Sequence, residues 1–377
     1  MGNGGLFKNF TELIKAVVLG GSISLTRWDD TTYSNITFIK AYGVVLSLLQ
    51  SGNAYLPFPL CFSIDAPDYA PETLNYSDSI LLHAPPNEAF DSVKNEPQIN
   101  ATIEYPSTSD GEIKITVTQT HNLANDLSHY NPPRQLIDVG LACIVSLVSS
   151  IKGVIIIAGQ SFDKIQITEY PTYIHITCTI TFNGWFKMKI KVNGGLIVKE
   201  FNEHGELVKV KKKKNDLITK NLVLYVYYFI TGKTQNLTDT SGNTFEFGGL
   251  KIDSSGALAP AGETKYGIIL GQDSSISIYD YKLENPLISS EIDYGKCSSY
   301  IWQNPNNSWN NRVGITRKIT YNGNNQLIVT CIGLITKLCI NSTNCYYVLL
   351  MKDKYTKTLN KGDSIEVTQY FEVNPTT

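Results

Sequence analysis

Hydrophobic and polar residues alternate along much of this chain. Every second residue is apolar across residues 112–118, and again at Ile174, Ile176, Cys178, Ile180 and Phe182. That is the pattern of a strand with one buried face. Ile365, Val367, Gln369 and Phe371 keep the same period on a less regular face. Two segments depart from it. Residues 11–19, opened by Lys8, Asn9 and Phe10, stop at Gly20 and Gly21, and residues 223–231, opened by Lys220, Asn221 and Leu222, stop at Gly232. Both read as helices ended by a glycine just past the last turn. Asp216 is the expected N-cap of the second.

The same landmarks occur twice in the same order. A β-type segment at 24–38 has a counterpart at 236–247, and residues 62–82, with Asp65 and Asp78, have one at 270–287, with Asp273 and Asp280. The alternating residues 112–118 match 326–330, and Val139-Gly140-Leu141 matches Ile332-Gly333-Leu334. Residues 153–158 match 346–351, and 173–183 match 364–374. A pattern used twice over 377 residues implies two tandem units. The expected fold is all-β: two tandem β-sandwich, jelly-roll-like domains over residues 1–184 and 185–377, each opened by a short helix. Residues 187–214 read as a hairpin-like preface to the second, turning at Asn202, Glu203, His204 and Gly205.

The duplication also decides an ambiguous stretch. Residues 139–159 are apolar apart from serines and Lys152, long enough to cross a bilayer as a helix. Their counterpart in the second copy is interrupted by the polar residues 339–345. A membrane helix in one copy and a hairpin in the other is inconsistent, so two strands meeting near Ser149 and Ser150 are expected, with no membrane span.

Composition narrows the function classes. The net charge of −2, with Arg27, Arg134, Arg312 and Arg317 as the only arginines, gives nucleic acid little to grip. Lys211–Lys214 read as a solvated linker or a strand edge that lysines protect from chance pairing. The N-terminal residues lack a secretory signal, and Leu6 stands where a myristoylation motif at Gly2 needs Ser or Thr. His83, His121, His129, His175 and His204 show no metal-ligand spacing. Asp65, Asp68, Glu72 and Asp78 read as loop solvation among prolines. No catalytic centre, metal or cofactor is therefore expected. Cys61, Cys143, Cys178 and Cys331 lie in apolar runs and read as buried thiols. Cys339 and Cys345 bracket a polar loop, where a disulfide and two reduced cysteines flanking a hairpin both fit. Asn306 and Asn341 are the candidate glycosylation sites. Residues 222–230, with Tyr225, Tyr227, Tyr228 and Phe229, either cap a sandwich core or offer an interface.

One further pattern lies in the second unit. The segments KNDLITKNL at 214–222, LTDTSG at 237–242, YGIILG at 266–271, SIYDYKL at 277–283, YVLLMKD at 347–353 and LNKGDS at 359–364 resemble a repeat of phage and crenarchaeal-virus structural proteins. The resemblance covers residues 214–373, and the first unit keeps the order but loses most of the signature at 62–82. In length, two-unit build and composition the chain is similar to the turret or vertex proteins of viruses of the Sulfolobus turreted icosahedral type. This resemblance implies a non-enzymatic spike on the virion surface, assembled as a cyclic oligomer, a pentamer at a fivefold vertex. Its implied partners are the penton base and other capsid proteins, with a host receptor outside. Two other classes compete. A cell-surface adhesin or glycoprotein needs an export signal or anchor, and a tail-spike-type carbohydrate-active β-sandwich needs paired carboxylates in a cleft.

Overall fold

The computed structural model describes residues 4–6, 8–19, 22–26, 32–37, 60–65, 99–107, 113–122, 134–148, 151–167, 173–182, 191–231, 235–247, 252–305, 307–340 and 344–373. The first half holds β1 (Gly4–Leu6), α1 (Lys8–Leu19), β2 (Ser22–Thr26), β3 (Thr32–Thr37), β4 (Leu60–Asp65) and β5 (Ile99–Glu104). It continues with β6 (Ile113–Asn122), β7 (Arg134–Val148), β8 (Ile151–Ile167) and β9 (Tyr173–Phe182). The second half begins with β10 (Lys191–Phe201), β11 (Leu207–Ile218), α2 (Lys220–Thr231), β12 (Gln235–Thr238) and β13 (Thr244–Phe247). Next come β14 (Ile252–Gly256), β15 (Gly267–Gly271), β16 (Ile292–Tyr294) and β17 (Ser298–Asn304). The long strands β18 (Asn307–Tyr321), β19 (Leu327–Ile340), β20 (Asn344–Leu359) and β21 (Ser364–Val373) close the chain. The class is all-β.

Strand neighbours repeat between the halves. β1-β8-β7-β4 in the first corresponds to β11-β20-β19-β15 in the second. β5-β6-β9 corresponds to β17-β18-β21, with β10 added beside β21. The hairpin β2-β3 corresponds to β12-β13. One landmark shifts. The counterpart of β6 is β18, and residues 326–330 belong to β19, the same strand as Gly333 and Leu334. Both segments alternate because both are half-buried, and alternation does not say which sheet a strand joins.

Residues 139–148 and 151–159 are the facing parts of β7 and β8, paired antiparallel from Val139↔Gln160 to Val148↔Ile151, and Ser149 and Ser150 lie outside the described residues. No helix among the described residues is long and apolar enough to cross a membrane.

The expected preface at 187–214 is no appendage. Its hairpin turns at Asn202–Gly205 as the residues suggest, where the Asn202 side chain accepts hydrogen bonds from the His204 and Glu206 backbone N–H groups. But β10 lies between β11 and β21 and pairs with β21 along its length, so it is an interior strand.

In the second half, β19 and β20 are buried on both faces. Residues 331–336 and 348–353 are buried without a break, the run expected of a strand covered on both sides. Their core is continuous with Val313, Ile315, Val367 and Phe371 of the other sheet, and α2 packs on β20. Leu222–Tyr228 are all buried. Tyr225 and Tyr228 meet Phe247 at ring-centroid distances of 4.5 and 5.2 Å. This helix therefore caps the core, and Tyr225, Tyr227 and Tyr228 are not an interface. Asp216 is not its N-cap, because β11 keeps pairing through Ile218 and holds Asp216 opposite Gly194. The helix starts after Thr219, whose hydroxyl donates to the Leu349 carbonyl at 2.7 Å and ties the helix to β20.

The helices also exchange between halves. α1 buries Phe10, Ile14 and Val18, one helical stripe, against β18 and β14 of the second half. The Ala257 N–H, just past β14, donates to the Val18 carbonyl at 2.8 Å. α2 in turn touches β6, the counterpart of β18. Close by, Tyr279 donates to the Pro106 carbonyl and Lys220 Nζ lies 4.8 Å from the Tyr105 ring.

Arg317 orders the segment between β14 and β15. It sits on the inward face of β18, in phase with Val313, Ile315 and Ile319, and is fully buried. Its guanidinium donates to the carbonyls of Gly295, Ile268 and Glu263 at 2.7, 3.0 and 2.6 Å, and to those of Tyr266 and Pro260 at 3.5 and 3.4 Å. The Tyr294 ring lies 4.7 Å away. Among the described residues, no carboxylate forms an ion pair with the guanidinium. Carbonyls that no strand pairs obtain donors from one planar fork. Gly267 has φ +89°, and a Cβ there would lie 2.8 Å from that of Ala259.

Two stability changes of opposite sign are expected. Arg317→Lys keeps the charge but loses the fork, and should lower the unfolding free energy by about 3 kcal/mol or more in urea melts. A loss below about 1 kcal/mol would show that water replaces the guanidinium. Gln369 is fully buried on β21, with neither amide atom hydrogen-bonded. Gln369→Met should raise stability by about 1 kcal/mol, and a fall in Tm would show that the amide is satisfied.

Candidate functional site

β11 belongs to two sheets. It pairs with β10 from Phe201↔Leu207 to Gly194↔Asp216, then with β20 only at Leu217↔Lys352 and Ile218↔Met351. Crossing between sheets leaves its first two thirds splayed from β20, and side chains close the seam. Glu200 of β10 is buried there. One carboxylate oxygen accepts from Tyr355 at 3.0 Å and pairs with Lys211 at 2.9 Å, and the other meets Lys357 at 3.0 Å. Farther along, Lys213 pairs with the buried Asp353. Deeper still, Lys352 reaches Asp273 at 2.6 Å and Asp280 at 2.7 Å. Asp273 also accepts the Glu284 and Asn285 N–H groups, each at 3.0 Å.

Glu200, Asp273 and Lys352 are held in their charged forms. Burial alone would raise the Glu200 carboxyl, but hydrogen bonds from Lys211, Lys357 and Tyr355 outweigh it and hold its pKa at about 2. Asp273 is lowered in the same way, with Lys352 and two backbone donors overcoming burial. Burial would lower Lys352, yet its two carboxylates raise it. Tyr355 is raised, first by burial and then by Glu200. These four shifts carry the pKa values farther from pH 7, whereas general acid–base work calls for values near it. The seam is a clamp.

Its outer rim is exposed. Residues 203–210 are all exposed, with Leu207, Val208 and Val210 at 54%, 64% and 44%. Val208 is the bulge residue with no partner on β10. Lys209, Lys212 and Lys214 are exposed on the same strand. The lysine run thus lies on a strand, with Lys211 and Lys213 turned to the seam and the others to solvent.

The other sequence-derived candidates fall as follows. Cys339 and Cys345 face each other across β19 and β20 and are joined by a disulfide. Cys331 is buried, as is Cys297, and burial pushes the Cys331 thiol up to about 11. Cys61, Cys143 and Cys178 lie in β4, β7 and β9. His204 is at the exposed hairpin turn, 3.6 Å from Glu203. Asn306, Asn341, Asp68, Glu72, Asp78, His83 and His129 lie outside the described residues. Among the described residues no three His, Cys, Asp or Glu side chains form a metal-binding group. Glu200, Tyr355 and Lys352 as partners were missed by sequence reasoning. The available signal was a charge inside an apolar run, as at Lys352 after Val348–Met351.

Glu200 carries a pH signature. Its folded pKa of about 2 lies below the ordinary 4.5, so its stabilisation is complete above pH 4.5 and is lost as pH falls toward 2. Between those limits the protein should lose about 2–3 kcal/mol more than Glu200→Gln does, measured by urea unfolding at each pH. Parallel curves for the two proteins would show that the carboxylate is not held in the seam. No protein-family model matches this chain, and no curated protein matches it.

Proposed function

We propose that this chain is a structural subunit of a virion surface, a turret or spike at a capsid vertex, that works through its surfaces and carries no catalytic centre. The observation that supports this reading most is the build of the two halves. They share strand neighbours, α1 of the first half packs on β18 and β14 of the second, and α2 touches β6 of the first. Such a body has its halves tied by packing as well as by the chain, and suits a part that must hold surfaces at fixed spacing. The seam adds to this, because its buried charges are consumed in holding β10, β11 and β20 together. The disulfide at the end of the β19-β20 hairpin fits an exposed, oxidising setting. The resemblance of residues 214–373 to viral structural repeats supplies the particle. Cyclic assembly at a vertex follows from it, with the penton base below and a host surface outside.

The test is composition and placement. Quantitative mass spectrometry of purified particles should find the chain in a fixed ratio to the major capsid protein, and antibodies to it should label intact particles at discrete points. Absence from washed particles overturns the reading.

A further inference from the structure

The two halves differ at one sheet edge. β21 carries β10 along ten residue pairs, from Val192↔Val373 to Phe201↔Ser364. β9, its counterpart, is bound to β6 on one side, and on the other meets β10 only at Thr181 and Phe182. Among the described residues, no strand lies on that side of residues 173–180. Among the described residues, β11 carries a second unpaired edge. Residues 207–216 are bonded to β10 on one side, and β20 joins only at Leu217 and Ile218.

Charge decides how these edges can combine. β11 carries Lys209 and Lys211–Lys214, so two β11 edges face to face would oppose lysine to lysine, which is destabilising. β9 contains no Lys, Arg, Asp or Glu, and its residues are mostly β-branched or aromatic. Pairing with β9 gives the lysine strand hydrogen-bond partners with no like charge opposite. The exposed Leu207, Val208 and Val210 would gain cover.

We propose that residues 207–216 of β11 in one copy of this chain pair, antiparallel, with residues 173–180 of β9 in a second copy. The incoming strand takes the place beside β9 that β10 takes beside β21. The contact is heterologous. Each copy offers one edge of each kind, so the pairing repeats around a ring, with main-chain hydrogen bonds supplying the adhesion. It rests on the reading of the chain as a self-assembling structural subunit and names the surfaces that would assemble.

The test uses the full chain in solution. Native mass spectrometry and sedimentation follow association, and deuterium exchange follows the amides of 173–180 and 207–216. The wild-type chain should associate with rising concentration, and exchange should slow in both segments together. Thr177 lies opposite Thr118 in the β6-β9 ladder. Thr177→Lys should weaken association at least about tenfold by setting lysine against lysine. Adding Lys209→Glu, Lys212→Glu and Lys214→Glu to that variant should restore it. If Thr177→Lys fails to fold, Val208→Pro probes the other edge, because Val208 has no partner on β10 and a bulge accepts proline. That change should also weaken association. A chain that stays monomeric at high concentration overturns the proposal. So does an oligomer that ignores Thr177→Lys and Val208→Pro and is protected elsewhere, which would leave the structural-subunit reading standing. Absence from particles would overturn that reading as well.

Discussion

A buried guanidinium that donates to five backbone carbonyls sets the shape of the second half. The segment between β14 and β15 leaves β19 and returns to it, so its carbonyls need donors from outside that ladder. Arg317 meets this need from β18, bonding Pro260, Glu263, Tyr266 and Ile268 on that segment and Gly295 beyond β16. With that segment held, β15 enters beside β19 in register from Gly267↔Ile335 to Gly271↔Cys331. The core between β19 and β18 then closes. Lysine could carry the same charge but not the same reach, since its three donors leave one nitrogen.

The seam at β11 answers a related problem. A strand that changes sheets leaves a wedge behind it, and an apolar filling would open to solvent at the rim. Lys211, Lys213 and Lys357 span the wedge, and the buried Glu200 and Asp353 pair with their heads. The same lysines keep an exposed strand soluble. One residue type therefore closes the inside and guards the outside.

Much of this could be read from residue patterns, and the failures have physical causes. The hairpin at 191–218 was legible because Asn202 and Gly205 are turn residues between apolar runs. Residues 139–159 were legible as strands only through their counterpart, since an apolar run carries no period of its own. Arg317 went unread as a core residue, although it stands in phase with Val313, Ile315 and Ile319. Lys352 was not legible, because Asp280 lies 72 residues earlier and nothing local joins them. The helix start was misread at Asp216 because a capping side chain is a local signal, while the pairing of Leu217 and Ile218 with β20 is not. β6 was aligned with the wrong strand for a like reason, since alternation reports burial and is silent on neighbours.

The two halves share strand neighbours, and one junction decides where they part. Each copy needs its helix covered, and each finds part of that cover on the other, α1 on β18 and α2 on β6. A reciprocal contact of this kind is the arrangement a twofold dimer makes, here within one chain. The joining segment cannot obey that symmetry, because it must leave one copy and enter the other. β10 is the strand that follows this junction. It runs parallel to β9 for two pairs and antiparallel to β21 for ten, and it cannot complete both halves at once. The half it completes has the deep core around β19 and β20, and the other retains a strand edge. Asymmetry forced by a single covalent link thus places unlike edges on one molecule, and unlike edges are what a head-to-tail assembly requires.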